Sequence, residues 1–97
     1  MFNKLKQFND LRKQANDLKS ILAKEEVTVE SSAVKIVMDG NQEIKSVTVN
    51  ADYLQTNKKG QLETELADNV NKAIKKVQRV MAEKMKEMGG FNIPGMN

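Results

Sequence analysis

The sequence contains no cysteine and no histidine. The first absence excludes disulfides, thiolate metal sites and cysteine nucleophiles, and it fits a reducing cytoplasm. The second excludes serine–histidine triads, histidine zinc sites and imidazole acid–base chemistry. Aromatic residues are few. Phe2, Phe8, Tyr53 and Phe91 are scattered and offer no stacking platform for single-stranded nucleic acid. No run approaches the roughly 18 apolar residues of a membrane span. The first thirty residues alternate charge with apolar side chains, so they do not read as a signal peptide. Glu25-Glu26 falls at a helix-to-strand junction and reads as solvated rather than as an acid–base pair. Asp39 belongs to a turn rather than to a metal site. Gly89-Gly90 follows a helix, whereas a phosphate cradle precedes one. The expectation is no enzyme, no cofactor and no metal.

What is present is a short, charged, helix-rich chain. Its 97 residues make about one domain with one small core. Neither glycine nor proline occurs before residue 40. Leu5, Phe8, Leu11, Ala15, Leu18, Ile21 and Leu22 recur at spacings of three and four, which predicts a helix over residues 3–24. The stripe drifts like a heptad seam, with Arg12 as a polar break. The period then changes to two. Val27 to Glu30, Val34 to Met38 and Ile44 to Asn50 read as three antiparallel strands. Val47 and Val49 are assigned to one face of the third strand, and Ile44, Ser46 and Thr48 to the other. Ser31-Ser32 marks a tight turn. Asp39-Gly40 is a hairpin signal, because glycine tolerates the positive φ such turns require. Residues 51–60 form a polar connection. A second helix is expected over 61–88, with Leu62, Leu66, Val70, Ala73, Ile74, Val77, Val80, Met81, Met85 and Met88 on its apolar face. Gly89-Gly90 ends it. Residues 1–90 read as a single domain and residues 91–97 as a flexible tail containing Pro94 and Gly95.

The predicted class is therefore α+β in the order helix, three-stranded antiparallel sheet, helix (α-β-β-β-α). Helices of about 33 and 42 Å outrun a sheet of short strands. Their projecting apolar faces call for a second copy related by two-fold symmetry. Leu5, Phe8, Leu11, Leu18, Leu22, Val77, Val80, Met81 and Met85 are the candidate dimer contacts.

The basic residues are the one constellation worth testing. Net charge is +3, mildly basic, but residues 1–24 carry six basic and two acidic residues. In the second helix Lys72, Lys75, Lys76, Arg79 and Lys86 fall within about 60° of one direction, nearly opposite the apolar stripe. The first helix adds Lys4, Lys6, Arg12, Lys13 and Lys19. Asp10 and Asp17 stand four residues from Lys6 or Lys13, a spacing at which ion pairs form. Basic residues late in a helix also complement its dipole, and a solvated face is the bland alternative. Doubled in a dimer, the stripes would touch phosphates, with affinity that falls steeply with salt and depends little on sequence. Lys84 lies on the apolar side, placed to snorkel at an interface edge.

The chain resembles the YbaB/EbfC family of bacterial nucleoid-associated proteins. The likeness runs from residue 1 to about residue 96. It takes in Lys13-Gln14-Ala15, Val27-Thr28-Val29-Glu30-Ser31, Asp39-Gly40 and Ile44 to Val49. It continues with Leu62-Glu63, Leu66, Asn71-Lys72-Ala73, Lys75-Lys76, Met81 to Met85 and Pro94-Gly95-Met96. The resemblance implies an intertwined, tweezer-shaped homodimer with projecting helices. It also implies duplex DNA binding without catalysis, in the cytoplasm and nucleoid. The turn Ser31-Ser32-Ala33 departs from the family's longer, glycine-rich one and is expected to shorten the first hairpin. The competing expectation is a dimeric protein-interaction module that binds an unidentified protein through its helical arms and Met81, Met85 and Met88.

Overall fold

A computed structural model of the chain describes residues 2–89, with side chains described from Lys6 onward. Leu5, Lys4 and the tail at 91–97 therefore lie outside the described side chains. Helix α1 spans Phe2–Ala23. Strands β1 (Glu26–Glu30), β2 (Val34–Asp39) and β3 (Ile44–Val49) follow, then two 3-10 turns at Ala51–Tyr53 and Thr56–Lys58. Helix α2 spans Lys59–Glu87. The fold is thus α-β-β-β-α, as the change of period predicts.

The strands form one antiparallel sheet in the order β1-β2-β3. Val29 stands opposite Ile36, and Ile36 opposite Val47. Alternation sends Val34, Ile36 and Met38 to one face, where all three are buried. Helix α2 covers that face over β2 and β1. Val29, Ile36, Met38, Ala73 and Val77 make the core, with Val27, Val70, Ile74 and Met81 packed around it. So small a core is what a chain of this length can build.

The third strand departs from simple alternation. A bulge shifts the register between Val37 and Met38, so that Ser46 faces Val37 while Ile44 faces Met38. One extra residue reverses the side on which later residues fall. Ile44 therefore shares a face with Val47 and Val49, not with Ser46 and Thr48 as alternation alone predicts. Helix α2 leaves this strip open: Ile44 is 47% and Val47 46% exposed.

The Asp39-Gly40 hairpin forms, but its positive φ belongs to Gln42 (66°) and not to Gly40. Gly40 is needed for a different reason. Its N–H donates to the carbonyl oxygens of Leu22 (2.9 Å) and Glu25 (3.1 Å). This close approach docks the end of α1 on the turn. Asp39 accepts from the N–H groups of Asn41 (2.8 Å) and Glu43 (3.1 Å), which accounts for a buried carboxylate without any ligand. At the far end Gly89, with φ of 80°, terminates α2 as a C-terminal glycine should.

From Lys6 to Ile21 α1 buries no side chain. Leu22 is buried, yet Phe8 is 63% and Leu11 51% exposed. The chain extends over 65 × 22 × 19 Å, with a radius of gyration of 18.6 Å. A compact chain of this length would have a radius of about 12–13 Å.

Candidate nucleic-acid interface

The amphipathic pattern of α2 fixes where its charge points. Asn69, Ala73 and Val77 are buried against the sheet. Lys72, Lys75, Lys76 and Arg79 are consequently turned aside, exposed. They line a groove of about 470 Å³ whose other wall is β1 at Thr28, Val29 and Glu30. The Lys76 ammonium donates to the Thr28 carbonyl at 3.3 Å, across that groove.

Asn69 closes one end, and reading the sequence for charge missed it. Its amide donates to the Glu65 carbonyl (2.7 Å) and to Ser31 Oγ (3.2 Å). Ser31 Oγ also accepts from the N–H groups of Ala33 (3.3 Å) and Val34 (3.4 Å). One buried amide thus ties α2 to the short β1–β2 turn. The available signal was a polar residue one turn before Ala73, at the border between the apolar and basic faces.

Ion pairing separates the basic residues into two groups. Glu26 holds Lys45 (3.4 Å), Glu63 holds Lys59 (3.1 Å), and Lys84 lies between Glu25 (2.9 Å) and Glu87 (3.2 Å). Those carboxylates hold the Lys84 ammonium above its ordinary pKa of 10.5, Glu25 foremost through its hydrogen bond. Lys84 is therefore a strap between α2 and the α1–β1 junction rather than a free basic group. Among the described residues, no ion pair engages Lys72, Lys75, Lys76, Arg79 or Lys86. Nor does any join Asp10 or Asp17 to Lys6 or Lys13.

The groove gathers four of the candidate phosphate contacts. Lys86 lies further along α2. Lys6, Arg12, Lys13 and Lys19 are exposed on α1 and do not line the groove.

The apolar candidates also divide. Phe8 and Leu11 are exposed, while Leu18, Val80, Met81 and Met85 are partly exposed. Leu22 and Val77 are buried within the chain itself. Sequence reading did not nominate Ile44 and Val47, which the bulge and the offset of α2 leave open. No described helix is long and apolar enough to cross a membrane.

A family model described as the YbaB/EbfC DNA-binding family matches residues 1–91. A nucleoid-associated protein of Caldicellulosiruptor bescii is 35% identical over 71 residues, covering 73% of this chain and 63% of its own length. This chain thus spans under two thirds of that relative. A nucleoid-associated protein of Clostridium kluyveri is 31% identical over 99 aligned positions, covering 99% of this chain and 87% of the relative. One from Hahella chejuensis is 37% identical over 93 positions, covering 93% and 85%.

Proposed function

Because the chain belongs to the YbaB/EbfC DNA-binding family, we propose that it is a nucleoid-associated protein of the bacterial cytoplasm that binds duplex DNA. It does so as a homodimer, through Lys and Arg contacts to phosphates, with little preference for sequence. The observation that carries this reading is the row Lys72, Lys75, Lys76 and Arg79. These are four exposed cations on one face of a rigid helix, with no carboxylate paired to them among the described residues. Such a row meets a phosphate backbone and reads no base edges. Lys6, Arg12, Lys13 and Lys19 on α1 would extend the contact.

The homodimer is part of the same proposal. Phe8 and Leu11 on α1 and Ile44 and Val47 on β3 are among the large apolar side chains that one chain leaves open, with Ile21, Leu54 and Met88. A second copy covers them without exposing a new face. If they stay open in the dimer, the protein-interaction reading takes over, since patches of that kind mark docking sites.

The test is a salt titration of binding to a random duplex of about three helical turns. Each phosphate neutralised contributes about −0.9 to the slope of log affinity against log salt. Reversing Lys72, Lys75, Lys76 and Arg79 to Glu is expected to abolish binding while the dimer mass is kept. Wild-type affinity in that variant overturns the site, and no binding by the parent protein at low salt overturns the function.

A further inference from the structure

We propose that the groove beside β1 is also a strand-addition site, which takes an extended acidic segment of another protein as a fourth strand. The proposal shares its cations with the DNA reading but does not rest on it.

Strand β1 is an edge of the sheet. In an antiparallel ladder, opposed residues alternate between pairs that exchange hydrogen bonds and pairs that do not. The Ser31 N–H donates to the Val34 carbonyl at 2.8 Å, which sets the phase at the turn. Counting back along the register, Val29↔Ile36 and Val27↔Met38 are bonded pairs. Glu26, Thr28 and Glu30 alternate with them, so their N–H and C=O groups point away from β2. The Thr28 carbonyl proves the phase, because it is met from outside by the Lys76 ammonium at 3.3 Å. An edge of this kind is a template for another strand.

The groove specifies which strand. An incoming segment would lie beside β1 and alongside α2, with alternate side chains on opposite faces. One set would face Lys72, Lys75, Lys76 and Arg79. Carboxylates there replace solvent with charge-assisted bonds, and Lys76 exchanges the Thr28 carbonyl for one of them. The other set would emerge beside the exposed Thr28 and Glu30 side chains. Acidic residues there would meet Glu30, so those positions favour uncharged side chains. The recognised pattern is thus acidic alternating with uncharged, the mode of edge-strand recognition in which backbone bonds give affinity and side-chain pockets give specificity. A phosphodiester chain offers acceptors only and cannot satisfy the outward carbonyls of Glu26 and Thr28. A peptide satisfies donors and acceptors alike.

The experiment uses the full chain and a blocked synthetic peptide of about eight residues that alternates Glu with Val, long enough to span β1. Its counterparts carry Gln for Glu, or N-methyl groups on the backbone. Binding is read by fluorescence anisotropy, and amide exchange is followed at Thr28 and Glu30. The acidic peptide is expected to bind, protect both amides and be displaced by duplex DNA. Each counterpart should bind about tenfold more weakly or worse, on the scale of one or two lost hydrogen bonds. Thr28→Pro removes an outward N–H that the ladder does not use, a change that edge strands tolerate. It should weaken the peptide while the urea midpoint stays near that of the parent protein.

Three outcomes overturn the proposal. Equal binding of the N-methylated peptide means that the cations hold any polyanion. Protection of Thr28 and Glu30 in the free protein that is lost on dilution means that a second copy already occupies the edge. Absence of binding by the acidic peptide leaves the edge without this partner, whatever the result with DNA.

Discussion

A Cβ at Gly40 would stand 2.5 Å from the Leu22 carbonyl oxygen and 2.9 Å from the Leu22 Cβ. Both obstacles are rigid parts of a helix end, so neither can step aside cheaply. Gly40→Ala is expected to destabilise the fold by about 1–3 kcal/mol, the cost of overpacking a close contact. Urea denaturation measures it, and an unchanged midpoint would mean that α1 is not seated on this turn. The sequence announced a hairpin at Asp39-Gly40 but not its reason. Glycine is visible in a sequence, whereas the backbone that approaches it from eighteen residues away is not. Asn69 was hidden for a similar cause, since its partner Ser31, 38 residues away in the chain, becomes a neighbour only after α2 has packed.

Lys84 supports a second prediction at this scale. Its pKa is raised in the fold above 10.5, chiefly by the hydrogen bond with Glu25 and then by Glu87. A raised folded value means that the protonated group favours the folded state. The contribution is therefore complete below 10.5 and is lost as pH climbs through the folded value. Lys84→Gln should lower the urea midpoint at neutral pH, and the gap from wild type should close in strong alkali. A gap of the same size at both ends would assign the effect to packing by the lysine stem.

The elements show where periodicity succeeds and where it stops. Spacings of three and four located both helices, and alternation located all three strands, because each reports on one face of one element. The β3 bulge defeats the same logic. One inserted residue turns Ile44 over, and nothing in Ile44 to Val49 signals it. The candidate dimer contacts divide on a related ground. An apolar stripe does not say which residues a subunit uses itself, and Leu22 and Val77 go to its own core. Phe8 and Leu11 lie open, and a helix without tertiary packing is marginal in water. If a second copy supplies that packing, dilution to the monomer should melt α1 first. Amide exchange would then quicken along α1 while β2 and the middle of α2 stay protected. Uniform protection at every concentration would show that α1 stands alone.

At the scale of the molecule the surface area bears on the proposed association. One subunit exposes 7549 Å², about 2,000 Å² more than a compact chain of this mass. Covered on both partners, that excess would make an interface of about 4,000 Å² in total, within the range of obligate dimers. The excess comes from an elongated shape, 65 Å along its longest axis. Phe8→Gln with Leu11→Gln tests the inference without adding charge beside the α1 cations. Both side chains are already exposed in the subunit, so the change should cost the isolated fold within about 0.5 kcal/mol per site. A drop in mass to that of the monomer would therefore report on the interface rather than on unfolding. The consequence for DNA follows from charge. Each subunit brings its own Lys72, Lys75, Lys76 and Arg79, so a monomer reaches half as many phosphates. The slope of log affinity against log salt should fall by about half with the mass. If the mass halves and the slope does not, the two rows never engage one duplex together, and each subunit binds DNA independently.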